Sequence, residues 1–338
     1  MSTTSSHATN HGRAAVLDAP RSRPAANGPL DLSGRAVLLA TDGSPSSVAA
    51  ARIALLLAQQ HHAQVHVVSV VDTRSAPIPP PLDMALALGD ALVGSEIHRS
   101  QEAGVRAELS GATGEPIDWP VRVSLGTPAT AIVRAAAEIG AALVIVGLRR
   151  HGRLDRAVND ETALNVMRHA SCPVLGVIAQ LDRLPTRVLA AIDFSEGSLI
   201  AARSGVGLAG DAAMLVLAYV QPMNGFLLDE GESYLHEMGL QAGFAQIARD
   251  LGQERVTLDH LVLHHGPSQG TGQALLDYAD DMRCDLITAG SVQHSRLDRW
   301  MVGSVSTDLV RDGRHSVLIV PPRSWNGPGG EYSSGGGA

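Results

Sequence analysis

One set of structural signals occurs twice, in the same order, along this chain of 338 residues. The wholly apolar run Ala36-Val37-Leu38-Leu39-Ala40 leads into the turn Thr41-Asp42-Gly43-Ser44-Pro45, and an Ala/Leu-rich helix then extends to about Gln60, with Ser46 or Ser47 as its expected N-cap. Later, Val188-Leu189-Ala190-Ala191-Ile192 leads in the same way into Asp193-Phe194-Ser195-Glu196 and a second helix. A repeat of this kind restricts the chain to two copies of one architecture, because each copy must bury its own apolar strands.

The correspondence continues to the end of each half. Val65–Val71 pairs with Met214–Val220 as a second strand, and each is followed by a Pro-containing connection and a helix, near 83–103 and 231–251. Third strands are expected at 121–126 and 261–266, fourth strands at 142–147 and 285–290, and fifth strands at 173–177 and 316–320. Strands alternating with helices imply parallel pairing through right-handed crossovers. Strands this short and apolar imply a sheet covered on both faces. The fold class is α/β: two consecutive doubly wound, five-stranded parallel-sheet sandwich domains, at 34–180 and 184–322, with Leu181-Asp182-Arg183-Leu184-Pro185 as the linker. The alternative is one large α/β domain. Residues 1–33 and 323–338 lack periodicity and read as a disordered and a flexible tail.

Composition narrows the function. Aromatic residues are only 3% against 45% hydrophobic, so the core is built from Ala, Val, Leu and Ile. The formal charge is −8 with scattered arginines, which argues against nucleic acid, whose phosphates require clustered cations. The two cysteines, Cys172 and Cys284, read as reduced thiols, which points to a cytoplasmic protein. Apolar runs such as Ala54–Ala58 are too short to span a membrane, and Met1–Ser6 shows no secretory signal. No H-E-x-x-H, cysteine pair, G-x-S-x-G or Walker A sequence is present, so no catalytic residue and no metal site is expected. His61-His62 ends a helix, and His264-His265 lies in a strand, where adjacent side chains point to opposite faces and cannot share a metal.

In doubly wound sheets ligands bind beyond the carboxyl ends of the strands, where the strand order reverses. For order 2-1-3-4-5 that place is between the first and third strands. For order 3-2-1-4-5 it is between the first and fourth, which brings Asp42 beside Gly147 and Asp193 beside Gly290. Asp42 and Asp193 are equally compatible with plain turn formation.

These residues carry a resemblance. Leu39-Ala40-Thr41-Asp42-Gly43-Ser44, the Gly147 loop and Met167–Leu175 in the first half, with Ala190–Ser195, the Gly290 loop and Gly303-Ser304-Val305-Ser306 in the second, resemble the universal stress protein family over roughly residues 34–322. The resemblance implies an adenine nucleotide alpha hydrolase-like fold and a stress-response role. It also implies pairing through the last strand of each half, as an intramolecular pseudo-dimer, and leaves association of two chains open. ATP-binding members carry G-x2-G-x9-G-S/T after the fourth strand, and the Asp after the first strand resembles the residue that contacts the adenosine. In the second half Gly290, Gln293, Gly303, Ser304, Val305 and Ser306 occupy this motif, with Gln293 in place of a glycine, so ATP with Mg is expected there beside Asp193. In the first half Gly147 is retained, but Arg150 replaces the second glycine and Asp160-Glu161 replace Gly-Ser. Carboxylates suit a helix N-terminus and repel a triphosphate, by roughly 4 kcal/mol for unit charges about 4 Å apart at an effective dielectric near 20. Arg149, Arg150 and Arg153 are expected to pair with them. The alternative function is a protein-interaction module without nucleotide. An enzyme of the wider hydrolase-like group would need a Ser-Gly-Gly-x-Asp-Ser loop, which neither half supplies.

Overall fold

The computed structural model describes residues 30–72, 90–148, 160–222, 230–251, 256–265, 269–291 and 303–322. The first half runs β1 (Ala36–Thr41), α1 (Pro45–His61), β2 (Gln64–Asp72), α2 (Asp90–Thr113), β3 (Val121–Gly126), α3 (Pro128–Glu138), β4 (Leu143–Leu148), α4 (Asp160–His169) and β5 (Val174–Ile178). The second runs β6 (Arg187–Ile192), α5 (Glu196–Leu208), β7 (Ala213–Pro222), α6 (Glu230–Leu251), β8 (Val256–His265), α7 (Thr271–Asp281), β9 (Leu286–Gly290), α8 (Ser304–Asp312) and β10 (Ser316–Val320). Within each half the strands are parallel and ordered 3-2-1-4-5, which selects the second of the two orders considered from sequence.

The halves share one ten-stranded sheet, ordered β3-β2-β1-β4-β5-β10-β9-β6-β7-β8. Its centre is the antiparallel pair β5–β10, in which Val317 faces Gly176, Leu318 faces Leu175 and Ile319 faces Val174. Both strands are five residues long and almost wholly buried. Left apart, each would present an apolar edge with unpaired amides, a template for aggregation. Ser316 seals one end of the seam, its Oγ accepting a hydrogen bond from the Ile178 amide at 3.2 Å.

Two apolar layers cover the sheet, and both run across the seam. On one face α1, α2, α5 and α6 bury residues such as Ile53, Leu109, Ala201 and Phe244. On the other, α3, α4, α7 and α8 bury Ile132, Met167, Leu275 and Leu309. Alanine at many helix positions allows close approach to the sheet, which suits a chain poor in aromatics.

Four local expectations change, the first being that β8 already runs at Val256, ahead of the expected 261. Helix α1 is capped by Ser44, whose Oγ accepts from the Ser47 amide at 3.3 Å, and not by Ser46 or Ser47; Pro45 takes the first helical position, where its missing N–H costs nothing. Helix α2 continues past residue 103 to Thr113, through Gly104 and Gly111, because Val105, Leu109 and Ala112 recur on one face and are buried against the sheet. Its counterpart α6 falls where expected. The leading tail was expected to reach residue 33, but Leu32 is fully buried, and a side chain at Gly207 in α5 would meet the Leu30 carbonyl at 2.8 Å. Residues 1–29 and 323–338 lie outside the described residues.

Replacing Leu318 by alanine removes buried apolar volume from the middle of the seam. It should cost about 2–5 kcal/mol, read as a lowered midpoint in urea unfolding.

Candidate functional site

The observed strand order sets the ends of β1 and β4 side by side, with Ala40 opposite Val146, and those of β6 and β9 likewise, with Ala190 opposite Thr288. The loops that follow carry the expected site residues. Asp42 and Asp193 are built alike. Each accepts the amide two residues on through Oδ1, Ser44 at 3.0 Å and Ser195 at 2.9 Å, and so closes an Asx turn into the following helix. Ser195 then caps α5 by accepting from the Ser198 amide at 3.2 Å. Burial alone would raise the Asp193 carboxyl, but the hydrogen bonds from Ser195 and Ser198 outweigh it and hold the group below the ordinary carboxylate value. Both aspartates are turn-formers, and both are exposed at the crevice mouth.

Gly147 and Gly290 have a requirement of their own. A Cβ on Gly147 would lie 2.8 Å from the Ser47 backbone nitrogen and 2.7 Å from Ser46 Oγ. A Cβ on Gly290 would lie 2.5 Å from the Gly197 carbonyl carbon and 2.9 Å from the Ser198 nitrogen. The fourth strand of each half therefore presses its backbone onto the first turn of the helix that follows the first strand. Glycine is needed there for internal packing, whatever else adjoins the loop.

Beyond Gly290, Ser291 ties the strand end to β10, its amide and Oγ both donating to the Val320 carbonyl at 3.0 Å. Helix α8 starts at Ser304 after Gly303, with no side-chain cap and no acidic residue in its first turn. The first-turn amides have no intrahelical acceptors, and the helix dipole adds positive character at the same point. Ser304 is exposed. Ser306 is 2% exposed, and its hydroxyl has no hydrogen bond to any described residue. Val305 packs against the apolar layer. In the first half the described part of α4 opens on Asp160, directly after residues that lie outside the described ones. The side chains of Asp160 and Glu161, and Arg149, Arg150, Arg153, Gln293, His294, Arg296 and Arg299, lie outside the described residues. The strand order thus sets the Gly147 loop beside that of Asp42 in one half, and the Gly290 loop beside that of Asp193 in the other.

One difference between the halves was not anticipated. Phe194 adopts φ 61°, a left-handed conformation that costs a bulky side chain on the order of 1–3 kcal/mol. Its ring lies 5.4 Å from Tyr219 and 5.3 Å from Phe244, and contacts of this kind offset the strain by about 0.5–1.5 kcal/mol each. The same turn in the first half holds Gly43 at φ 76°, which is free of that strain. Strand register equates Tyr219 with Ser69, since Ile192 faces Tyr219 as Thr41 faces Ser69. Where a side chain on Gly243 would strike Phe194, the carboxylate of Glu108 overhangs Gly43. A comparison of the two Asx turns was the available signal, because Gly and Phe are not interchangeable at a left-handed position.

Cys172 and Cys284 are buried thiols, pushed up to about 12 and about 11 by burial. Among the described residues no cluster of three or more His, Cys, Asp or Glu is placed to hold a metal, and no helix is long and apolar enough to cross a membrane.

The sequence model of the universal stress protein family matches residues 34–177 and again 185–321. A universal stress protein of Thermus aquaticus is 32% identical over 143 residues, 42% of this chain and 96% of its own length. Another, from Methanocaldococcus jannaschii, is 30% identical over 145 residues, 42% of this chain and 80% of its own. The crystal structure of a universal stress protein from Archaeoglobus fulgidus covers 86% of this chain and 99% of its own, with TM-score 0.58 at 18% identity. A functionally unknown protein of Pseudomonas aeruginosa PAO1 covers 86% of this chain and 93% of its own, with TM-score 0.54 at 17% identity. The last two similarities speak to fold.

Gly290→Ala should destabilise the protein by about 1–3 kcal/mol in the absence of any ligand, as should Gly147→Ala, read by thermal unfolding. A thiol reagent at about pH 8 should label Cys172 and Cys284 in the unfolded chain and spare both in the native one.

Proposed function

Because the chain belongs to the universal stress protein family, we propose that it is a tandem stress-response protein of the cytoplasm whose second half holds an adenine nucleotide, ATP with magnesium. The observation that carries this reading is the start of α8. It is uncapped, opens on Gly303-Ser304, and has no carboxylate in its first turn. Such a helix start is suited to anionic oxygens, which the amides of Ser304, Val305 and Ser306 and the hydroxyls of Ser304 and Ser306 would receive. Asp193 would accept hydrogen bonds from the adenosine, and its lowered carboxyl keeps it an acceptor at neutral pH.

The first half serves as the structural partner. Asp160-Glu161 take the sequence positions that Gly303-Ser304 hold in the second half, where two carboxylates would favour a helix start and oppose phosphate. In this reading the protein carries out no catalytic step and engages no nucleic acid. With β5 and β10 joined inside the chain, any association of two chains would use another surface.

The test is calorimetry with ATP and magnesium. The double change Gly303→Asp with Ser304→Glu should abolish binding and leave the fold intact, since carboxylates also suit the helix start. Asp160→Gly with Glu161→Ser should leave second-half binding unchanged. Full affinity after the Gly303/Ser304 change would place the nucleotide elsewhere, and no binding by the unmutated protein at millimolar ATP would favour an interaction module. Asp193 enters binding through its ionised form, and its carboxyl is lowered. Affinity for adenosine, which carries no titrating phosphate, should therefore hold as pH falls from about 7 to about 5, and fail only when Asp193 protonates below the ordinary carboxylate range.

A further inference from the structure

The asymmetry between Gly43 and Phe194 opens space in the first half. Where the second half packs the rings of Phe194 and Tyr219, the first half has Gly43 and Ser69, and a cleft of about 460 Å³ lies between the β1 and β2 ends and α2. That is within the range of small-molecule sites, roughly 300–1,000 Å³. Its floor is Ser69, only 9% exposed, whose hydroxyl has no hydrogen bond to any described residue. Ser69 points into the cleft, as Tyr219 at the matching register position points onto Phe194.

Its wall is Glu108, partly buried on α2. Thr41 Oγ1 donates to Glu108 Oε1 at 3.3 Å, and Oε2 overhangs Gly43 at 3.3 Å from the position a Cβ would take. Asp42 stands at the mouth. No lysine or arginine is among the described residues lining the cleft, whose polar remainder is Ser100 and Gln101. With no cation among the described lining residues, the Glu108 carboxylate repels phosphates and favours positively charged groups. A part-buried carboxylate with one neutral donor also has acceptor capacity left for a charge-assisted hydrogen bond.

We propose that this cleft is a second ligand site, specific for a small organic cation bearing an ammonium or guanidinium group, which would bind to Glu108 with Ser69 as a further acceptor. The site is independent of α8 and opposite to it in charge preference. It lies where the chain's own second half is filled by rings, so the two halves have diverged from one template to two ligand chemistries.

Calorimetry of the full chain with agmatine and with spermidine tests this. At least one of the two should bind, Glu108→Gln should weaken it roughly tenfold or more, and Ser69→Tyr, which supplies the second half's residue, should abolish it. Gly303→Asp with Ser304→Glu should leave it unchanged. Circular dichroism checks that each variant is folded, and Glu108→Gln keeps the test intact if the larger tyrosine disturbs the sheet. Burial, aided by the negative charge of Asp42 and opposed by the Thr41 hydrogen bond, raises the Glu108 carboxyl above its ordinary value. Binding should therefore fade with falling pH earlier than an ordinary glutamate would predict. Failure of both amines to bind at millimolar concentration overturns the proposal. So does binding that both cleft variants leave unaffected, or displacement of the amine from the cleft by ATP.

Discussion

The antiparallel pairing of β5 with β10 is the contact on which the rest of the architecture depends. Each five-stranded half ends in a short, largely apolar strand that water cannot cover cheaply. Joining the two turns two open sheets into one and lets both helix layers run without interruption from one half to the other. The pairing also fixes the geometry of the two crevices. Each lies between the first and fourth strands of its half, one and two places from the seam, so both are held by a common rigid sheet.

Within that frame the halves keep the same scaffold devices and differ in what they place around them. The Asx turn, the serine N-cap and the glycine pressed onto the first helical turn occur in both. These are backbone requirements of the fold, and a change at any of them would be felt whether or not a ligand is present. The divergence is in side chains that the backbone does not demand. Gly43 against Phe194, Ser69 against Tyr219, and Asp160-Glu161 against Gly303-Ser304 alter volume and charge at the carboxyl ends of the strands while the strand order is conserved.

Much of this was readable from the chain itself. Apolar strands that recur in order led directly to the two doubly wound halves, and the family resemblance pointed to the seam between the last strands, Val174–Val177 and Val317–Val320. The N-cap was misplaced because Ser44, Ser46 and Ser47 are chemically alike, and only the position of Pro45 distinguishes them. The end of α2 was placed too early because Gly104 and Gly111 look like breakers. Burial of Val105, Leu109 and Ala112 on the sheet overrides that local preference, a tertiary effect without a local signature. The same misplacement hid Glu108, which falls beyond the expected helix end. The strain at Phe194 was equally hidden, because a positive φ at a phenylalanine is tolerated only through rings from two other elements.

The short segment ahead of β1 has a consequence for the order in which the molecule can be completed. Leu32 is fully enclosed and Leu30 rests on α5, while the Gln60 side chain donates to the Ala209 carbonyl at 3.3 Å. During synthesis, Leu30 emerges long before Gly207, against which it comes to lie. Domains generally fold from the N-terminus as they emerge. The first half must therefore form with Leu30 lacking its contact on α5, and its edge strand β5 without a mate, until the second half is made. The strap and the seam then close late, together, and from opposite ends of the first half's sequence, so an incomplete chain exposes two sticky surfaces at once.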